Sequence, residues 1–195
     1  MPVQKVTREE ILQKAMRVFK RQGYHRTTMD DLARACGLLK GSFYHYFSSK
    51  EVLMKEVLRY VNDFNEKHVF AVAYEESLSP EERLGQLLDR LFRGVMTSEG
   101  GCLMGNTVLE TSLVTTEFKE PLQQHFTNFT RAVGHIYESV FPAEKAFRLA
   151  EHLAIEIEGS IMLVRLGGHE YLMQDCRDRA LERLRNGREP GPSGS

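Results

Sequence analysis

The stretch from Thr27 to Lys50 concentrates side chains that can bind a polyanion, at a spacing typical of two short helices joined by a glycine turn. Gly37 separates the two helices, and hydrogen-bond donors cluster at the start of the second one: Lys40, Ser42, Tyr44 and His45. The first turn of a helix has free N–H groups that attract phosphate, and such side chains can also donate to base edges. The pattern predicts a helix end that enters the major groove of DNA.

The predicted DNA contacts surround this helix start. Gly41 would let the backbone approach the DNA closely, and residues on the two flanking helices would hold the strand on either side. The predicted DNA-binding residues are Thr27, Thr28, Lys40, Gly41, Ser42, Tyr44, His45 and Lys50. Further candidates for phosphate contacts are His25 and Arg26, whereas the apolar back of the helix is expected to consist of Phe43, Tyr46 and Phe47.

The charge distribution agrees with a DNA-binding segment at one end of the chain. Residues 1–50 hold ten Lys and Arg against four Asp and Glu, a net charge of +6. The remaining 145 residues hold 16 bases against 23 acids, a net charge of −7. A basic region attached to an acidic one is typical of a phosphate-binding module joined to a domain with another role.

Composition argues against cofactor chemistry. The three cysteines, Cys36, Cys102 and Cys176, are far apart, and no Cys or His spacing is typical of a metal site, so we expect no cofactor and no metal. No apolar run approaches the roughly 18 residues of a membrane span, and nothing near Met1 resembles a signal peptide. We therefore expect a cytoplasmic, prokaryotic protein that associates with the nucleoid when it is bound to DNA.

Helical periodicity runs through almost the whole chain and predicts an all-α fold of about nine helices. Cap residues followed three positions later by an acidic residue mark four helix starts, at Thr7, Thr28, Ser48 and Ser79. The helix after the DNA-binding segment is expected to span about 48–74, and a shorter one is expected to begin at Asn106 or Thr107. Three long helices are expected at about 118–141, 143–166 and 169–186, before a disordered tail at 187–195.

The residues from Thr27 to Lys50 resemble the DNA-binding domain of TetR-family transcriptional regulators. The shared order of residue types is Thr-Thr-Met-Asp-Asp-Leu-Ala, then Cys-Gly-Leu, then Lys-Gly-Ser-Phe-Tyr-His-Tyr-Phe. Ala15, Phe19 and Gly23 extend the resemblance to about residues 7–60. The segment Gly-Cys-Leu-Met-Gly-Asn at 101–106 is similar to a signature of some branches of that family.

The resemblance implies a domain organisation and a function. It places a helix-turn-helix domain at 1–50 and a ligand-binding and dimerisation domain at 51–186, linked by the helix at about 48–74. It implies a regulator, usually a repressor, that binds a palindromic operator as a homodimer and is released by a small hydrophobic or electrophilic effector.

One position departs from the family pattern. Leu39 stands where the family often has Ser or Thr, and losing that hydroxyl removes a helix cap worth about 0.5–2 kcal/mol. This departure keeps one alternative open, in which the TetR-like fold is a protein-interaction module without specific DNA binding.

Two helix-turn-helix units about one DNA turn apart bind far more tightly than one, so a symmetric dimer is expected. Apolar stripes on the last two helices would form a four-helix bundle with a second copy. The predicted interface residues are Leu153, Ile157, Ile161 and Val164 on one helix and Leu172, Cys176, Ala180 and Leu184 on the other.

By resemblance, the middle helices would enclose an effector pocket. The predicted lining residues are Phe92, Met96, Cys102, Met104, Asn106, Leu109, Phe126, Phe129 and Tyr137. Cys102 is either a sensing thiol, because glycine leaves it room beside a helix start, or a buried structural residue. Effector binding would shift the start of the 48–74 helix and separate the two DNA-reading helices.

An enzyme is the other alternative, and the sequence argues against it. Residues 100–107 are similar to a phosphate-binding loop, but Asn106 occupies the position of the required lysine and a helix, not a strand, is predicted before the loop. No nucleophile arrangement or carboxylate pair of the kind that catalysis needs is present in the sequence.

Overall fold

The computed structural model describes residues 6–96 and 100–187, and over these residues the chain is helical with no strand. The all-α prediction is confirmed. The helices are α1 (Arg8–Gln22), α2 (Met29–Cys36), α3 (Lys40–Tyr46), α4 (Lys50–His68), a 3-10 helix (Phe70–Tyr74), α5 (Pro80–Met96), α6 (Leu103–Thr111), α7 (Lys119–Tyr137), α8 (Ala143–Gly167) and α9 (Tyr171–Asn186). Most of the tail predicted to be disordered lies outside the described residues.

The described residues divide into two compact units, and the division differs from the predicted boundary at residue 50. The first unit contains residues 6–63 and 100–124, and the second contains 64–96 and 125–187. The segment that carries α6 therefore belongs to the same unit as the helix-turn-helix, because it packs against that part of the chain and α1 contacts α6.

Three of the predicted helix caps are present. Thr7 and Thr28 each accept a hydrogen bond from the backbone of the third helical residue, and that residue's carboxylate accepts one in return. Ser79 and Glu82 form the same reciprocal pair, with Ser79 N 2.8 Å from a Glu82 carboxylate oxygen. At the fourth start, Ser49 rather than Ser48 caps the helix by accepting from Val52 N at 3.3 Å.

Two predicted boundaries are wrong. The helix expected at 48–74 ends at His68, and a 3-10 helix replaces its last turns. The short helix expected to begin at Asn106 or Thr107 begins at Leu103, because the Cys102 thiol caps it by accepting from Gly105 N at 3.4 Å. Cysteine is not among the residues usually expected at this position.

The first unit has an apolar core that fixes the helix-turn-helix. Fully buried side chains come from each of α1 to α4: Ile11, Phe19, Leu32, Phe43, Leu53 and Val57. Gly100 lies directly against α1, where an added Cβ would come within 1.9 Å of the Lys20 carbonyl oxygen, so only glycine fits there.

The second unit is organised around α5, α8 and α9. The two last helices pack along each other, and α9 also contacts α5. Within this packing the Tyr137 hydroxyl donates to the Ala180 carbonyl at 3.2 Å, and burial raises the pKa of Tyr137 to about 12. Arg183 and Glu156 form an ion pair between α9 and α8.

Candidate nucleic-acid interface

The direction of α3 is set by the turn that follows α2. Gly37 takes a left-handed conformation, with φ of 71° and ψ of 27°, and its N–H closes the end of α2 on the carbonyls of Ala33 and Arg34. A side chain would be strained in this conformation. At the other end of α2 the Thr28 backbone and hydroxyl hold the pKa of Asp31 below its usual value by hydrogen bonding. Both ends of α2 are therefore fixed.

The short helix α3 has one buried side and one exposed side. Phe43 and the residue after the helix, Phe47, are 0% and 1% exposed, as predicted, while Tyr46 is half-buried and donates from its hydroxyl to the Val6 carbonyl at 3.2 Å. The exposed side consists of Leu39, Lys40, Gly41, Ser42, Tyr44 and His45, which we call the α3 surface. A Cβ added to Gly41 would meet no atom within 4 Å, so this backbone is open to a ligand.

Lys40 is held by an acidic residue that sequence reasoning missed. Its ammonium lies 3.0 Å from an Asp30 carboxylate oxygen, and this hydrogen bond together with the charge of Asp30 raises the pKa of Lys40. Both side chains are more than half exposed, so the ion pair stabilises the fold by at most about 1 kcal/mol. A phosphate or a base can therefore take the place of Asp30 as the partner of Lys40. Asp30 lies ten positions before Lys40, on another helix, so the spacing of residues within one helix could not predict this pair.

Lys50 has a structural role beside the predicted one. Its ammonium donates to the carbonyls of Tyr24 and Thr27, both at 2.9 Å, and lies 4.3 Å from the centre of the Tyr24 ring. These bonds tie the first residue of α4 to the turn before α2. Contact between Lys50 and a DNA strand remains a prediction.

Thr27, one of the predicted DNA contacts, is buried in the turn before α2. It is 1% exposed, and its hydroxyl donates to the Gly23 carbonyl at 2.6 Å. Thr28 is exposed, and its hydroxyl is hydrogen bonded to Asp31 at 2.6 Å. The two adjacent threonines therefore have different roles, one closing the turn internally and one capping α2 at the surface.

A second missed residue, Glu110 on α6, binds the turn that precedes α2. One of its carboxylate oxygens accepts from Tyr24 N at 2.8 Å and from His25 N at 3.3 Å, and its carbonyl oxygen lies 2.9 Å from the His25 ring. Gly23 makes room for this carboxylate, because an added Cβ would lie 2.6 Å from it. The separation of more than 80 residues leaves no signal in the sequence.

The predicted effector residues fall in both units. Cys102, Met104, Asn106 and Leu109 belong to the first unit, and Phe92, Met96, Phe126, Phe129 and Tyr137 belong to the second. Met104, Phe129 and Tyr137 are buried, whereas Leu109 is 82% exposed and points away from any core. Asn106 donates to the Gly100 carbonyl at 2.7 Å and so stabilises the loop before α6.

Most residues of the predicted dimer stripe are buried within the single chain, and their part in an interface remains a prediction. Leu153, Ile157 and Ile161 on α8 are at most 6% exposed, and Cys176, Ala180 and Leu184 on α9 are fully buried within the single chain. These side chains pack inside the second unit. Val164 and Leu172 are half-buried.

No group of three or more His, Cys, Asp or Glu in the part of the chain that the structure describes could hold a metal ion. Among the helices of residues 6–96 and 100–187, none is long and apolar enough to cross a membrane.

The fold and the α3 surface define a helix-turn-helix DNA-binding protein. A sequence profile described as bacterial regulatory proteins, tetR family, matches residues 11–57. The uncharacterized HTH-type transcriptional regulator YxaF of Bacillus subtilis is 30% identical over 161 residues, which cover 80% of this chain and 84% of YxaF. The HTH-type transcriptional repressor DhaR of Mycobacterium sp. (strain GP1) is 26% identical, with 82% of each chain covered.

The fold is shared with solved structures. A TetR transcriptional regulator from Legionella pneumophila superposes with a TM-score of 0.85 at 23% identity, covering 94% of this chain and 99% of that one. The chain belongs to the TetR family of transcriptional regulators, whose members bind DNA and are not enzymes.

Proposed function

We propose that this protein is a homodimeric repressor that binds a palindromic operator and leaves it when a small-molecule effector binds. The observation that carries the proposal is the α3 surface, which offers a lysine, an open glycine backbone and three hydroxyl or imidazole groups on one exposed side. DhaR, which is named a repressor, supports repression over activation. Such a regulator works in the cytoplasm of a prokaryote and associates with the nucleoid when bound to its operator.

Dimerisation follows from the small size of the reading element. α3 has seven residues and reaches only a few base pairs, so one copy binds weakly. Two copies whose α3 helices are about 34–36 Å apart read two half-sites one turn of DNA apart, and the symmetry of the dimer makes the operator palindromic.

We infer that the exposed side of α8 contributes to the interface between the two copies. Its exposed side carries four large apolar residues, separated by eight, seven and four positions, and we call these residues the α8 face: Phe147, Ile155, Met162 and Leu166, which are 51%, 70%, 62% and 85% exposed. Leu163 on the same helix and Tyr171 at the start of α9 are 44% and 59% exposed. Exposed apolar side chains of this size are unfavourable in water, and several on one side of a helix are typical of a protein contact. A second copy presenting the same face would bury it by symmetry.

The route from effector to DNA passes through α6. Glu110, at the end of α6, holds the backbone of the turn that leads into α2, and Cys102, at its start, caps the same helix. An effector that displaces α6 would loosen or reorient the helix-turn-helix through Glu110. This complements the expected movement of α4, whose first residue is tied to the same turn by Lys50.

The proposed effector is small and hydrophobic or electrophilic. Cys102 is the cysteine that a reagent can reach, because Cys36 and Cys176 are buried and burial raises the pKa of both thiols. Burial lowers the pKa of the Lys20 ammonium, and an interaction with Cys102 opposes this shift.

The test begins with selection of genomic fragments that the purified protein retains, followed by affinity measurement on the selected duplex at several salt concentrations. We expect a steep loss of affinity with salt, since each neutralised phosphate contributes nearly one unit to the logarithmic slope. Lys40→Ala and Tyr44→Ala should each weaken specific binding about 10-fold to 100-fold while leaving the oligomeric state unchanged.

The same duplex serves to test the effector. A panel of hydrophobic and electrophilic compounds should contain members that lower operator affinity, and those that act through Cys102 should lose their effect on Cys102→Ser. Equal affinity of the wild type and both α3 variants for all duplexes would instead favour a protein-interaction module.

A further inference from the structure

Leu39 is an exposed apolar residue at the edge of the α3 surface. Its side chain is 80% exposed, although it immediately precedes a helix whose other large apolar residues, Phe43 and Phe47, are buried. Its backbone is extended, with φ of −68° and ψ of 147°, and its side chain makes no cap hydrogen bond. The Leu39 carbonyl accepts from Phe43 N at 2.9 Å, but the side chain contributes neither to the core nor to capping of the helix.

The chemistry of leucine excludes most contacts that a residue at this place would make. It has no donor for a phosphate oxygen and no donor or acceptor for the polar edge of a base. A serine at the same position would cap α3, because serine is among the preferred residues at an N-cap. A leucine forgoes that stabilisation and exposes apolar area to water in the free protein.

Leu39 lies at the end of α3 that would enter the DNA groove. The next three residues, Lys40, Gly41 and Ser42, are all exposed, and the open backbone at Gly41 lets this end of α3 approach closely. A helix that enters the major groove end-first brings the residue before its first turn close to the base edges.

Among those base edges, only one offers an apolar group. The major-groove edge of thymine carries the C5-methyl group, whereas the other three bases present donors and acceptors. We propose that Leu39 is a specificity-determining residue that contacts the C5-methyl group of a thymine in each operator half-site. Contact would remove both apolar groups from water, which a cytosine or a guanine in the same place cannot match.

This inference rests on the proposed operator binding and deepens it by naming one base feature that is read. It separates the α3 surface into residues that hydrogen bond, such as Lys40 and Tyr44, and one that reads a methyl group by apolar contact. Replacing thymine by deoxyuridine removes that methyl group and leaves every donor and acceptor unchanged, so the two modes of reading can be told apart.

The experiment uses the full-length protein and its selected operator. Each thymine of the two half-sites is replaced by deoxyuridine, one symmetric pair at a time, and the dissociation constant is measured at fixed salt for the wild type and Leu39→Ala. From the free energy of burying one methyl group, we expect one of these symmetric replacements to weaken wild-type binding by about threefold to fivefold per half-site. For Leu39→Ala the same pair should have no effect.

Leu113→Ala is the matched control, because Leu113 is 99% exposed in the same unit but lies outside the helix-turn-helix. It should reproduce the wild-type response at every thymine. Operators reselected with Leu39→Ala should keep the remaining consensus and lose only the preference for thymine at that position.

Two results would overturn the inference while leaving operator binding intact. One is an equal response of the wild type and Leu39→Ala at every thymine, and the other is a selected operator without thymine in its half-sites. A wild-type protein that prefers no duplex at all would overturn the proposed function and this inference with it.

Discussion

The α3 surface and the α8 face are both exposed, yet they differ in chemistry. α3 carries lysine, serine, tyrosine and histidine around an open glycine, with a single apolar residue at its edge. α8 carries four large apolar side chains on its exposed side. Water solvates the first surface well and the second poorly, so the two are suited to different partners. In the proposed function, DNA binds the polar surface and a second copy of the chain binds the apolar one.

The largest expected effect comes from placing a charge in the centre of the α8 face. Ile155→Glu would place a carboxylate from each copy in the proposed apolar contact, so we expect the dimer dissociation constant to rise by at least about 100-fold. Operator affinity should fall with it, because separate protomers lose the second half-site. Sedimentation across a concentration series measures the first effect, and gel shift measures the second.

Leu113→Glu is the control for that change, since it adds the same charge at a leucine that is 99% exposed in the other unit. It should leave the mass in solution unchanged. Should Ile155→Glu remain dimeric at the concentrations where the wild type is dimeric, the α8 face is not the interface.

The second largest expected effect is a pH dependence of stability that arises from the interior of the second unit. His125, in the second unit, is buried beside the rings of Phe70 and Phe126, and burial lowers its pKa from 6.5 to about 4. The folded state therefore disfavours the protonated ring, while the unfolded chain takes up a proton below about pH 6.5. The associated stability is complete above pH 6.5 and is lost progressively as the pH falls toward 4, by about 3 kcal/mol in total.

His125→Phe removes the titrating group and keeps an aromatic ring in the cluster. Denaturant titrations between pH 7 and pH 4 should show a smaller loss of unfolding free energy for this variant than for the wild type. Identical pH dependence in the two proteins would mean that His125 does not titrate as its burial implies.

The smallest expected effect lies in the link between α6 and the helix-turn-helix. Glu110→Gln keeps an acceptor oxygen for the backbone donors of Tyr24 and His25 but removes the charge, so the first unit should lose about 1 kcal/mol of stability. Glu117→Gln, which removes an exposed ion pair with Lys55 in the same unit, should change stability by less.

The two variants also test the proposed coupling, because only Glu110 contacts the turn before α2. Effector-induced release from the operator should weaken in Glu110→Gln and persist in Glu117→Gln. If the effector releases both variants from the operator equally, the coupling runs through α4 alone.

Local signals in the sequence were enough for the fold class and for most helix starts. Thr7, Thr28 and Ser79 are strong caps with an acidic residue three positions on, and such signals act within one turn. The start of α6 was misplaced because a cysteine caps it, and the end of α4 was misplaced because neither proline nor glycine marks His68.

The site was only partly predictable, because several of its features are long-range. The exposed residues of α3 follow from the buried positions of Phe43 and Phe47 and could be read from the sequence. The burial of Thr27 and the contacts of Asp30 and Glu110 depend on how distant segments fold together. On α8 both sides are apolar, so periodicity alone could not tell which side packs against α9.

The central claim is that the chain binds DNA as a pair through the α3 surface. The mass of the complex on the selected operator, measured by sedimentation beside a scrambled duplex at the same salt, tests it most directly. We predict two chains per operator, no stable complex with the scrambled duplex and loss of the specific complex in Lys40→Ala. A single chain per operator, or equal binding of the two duplexes, would contradict the account.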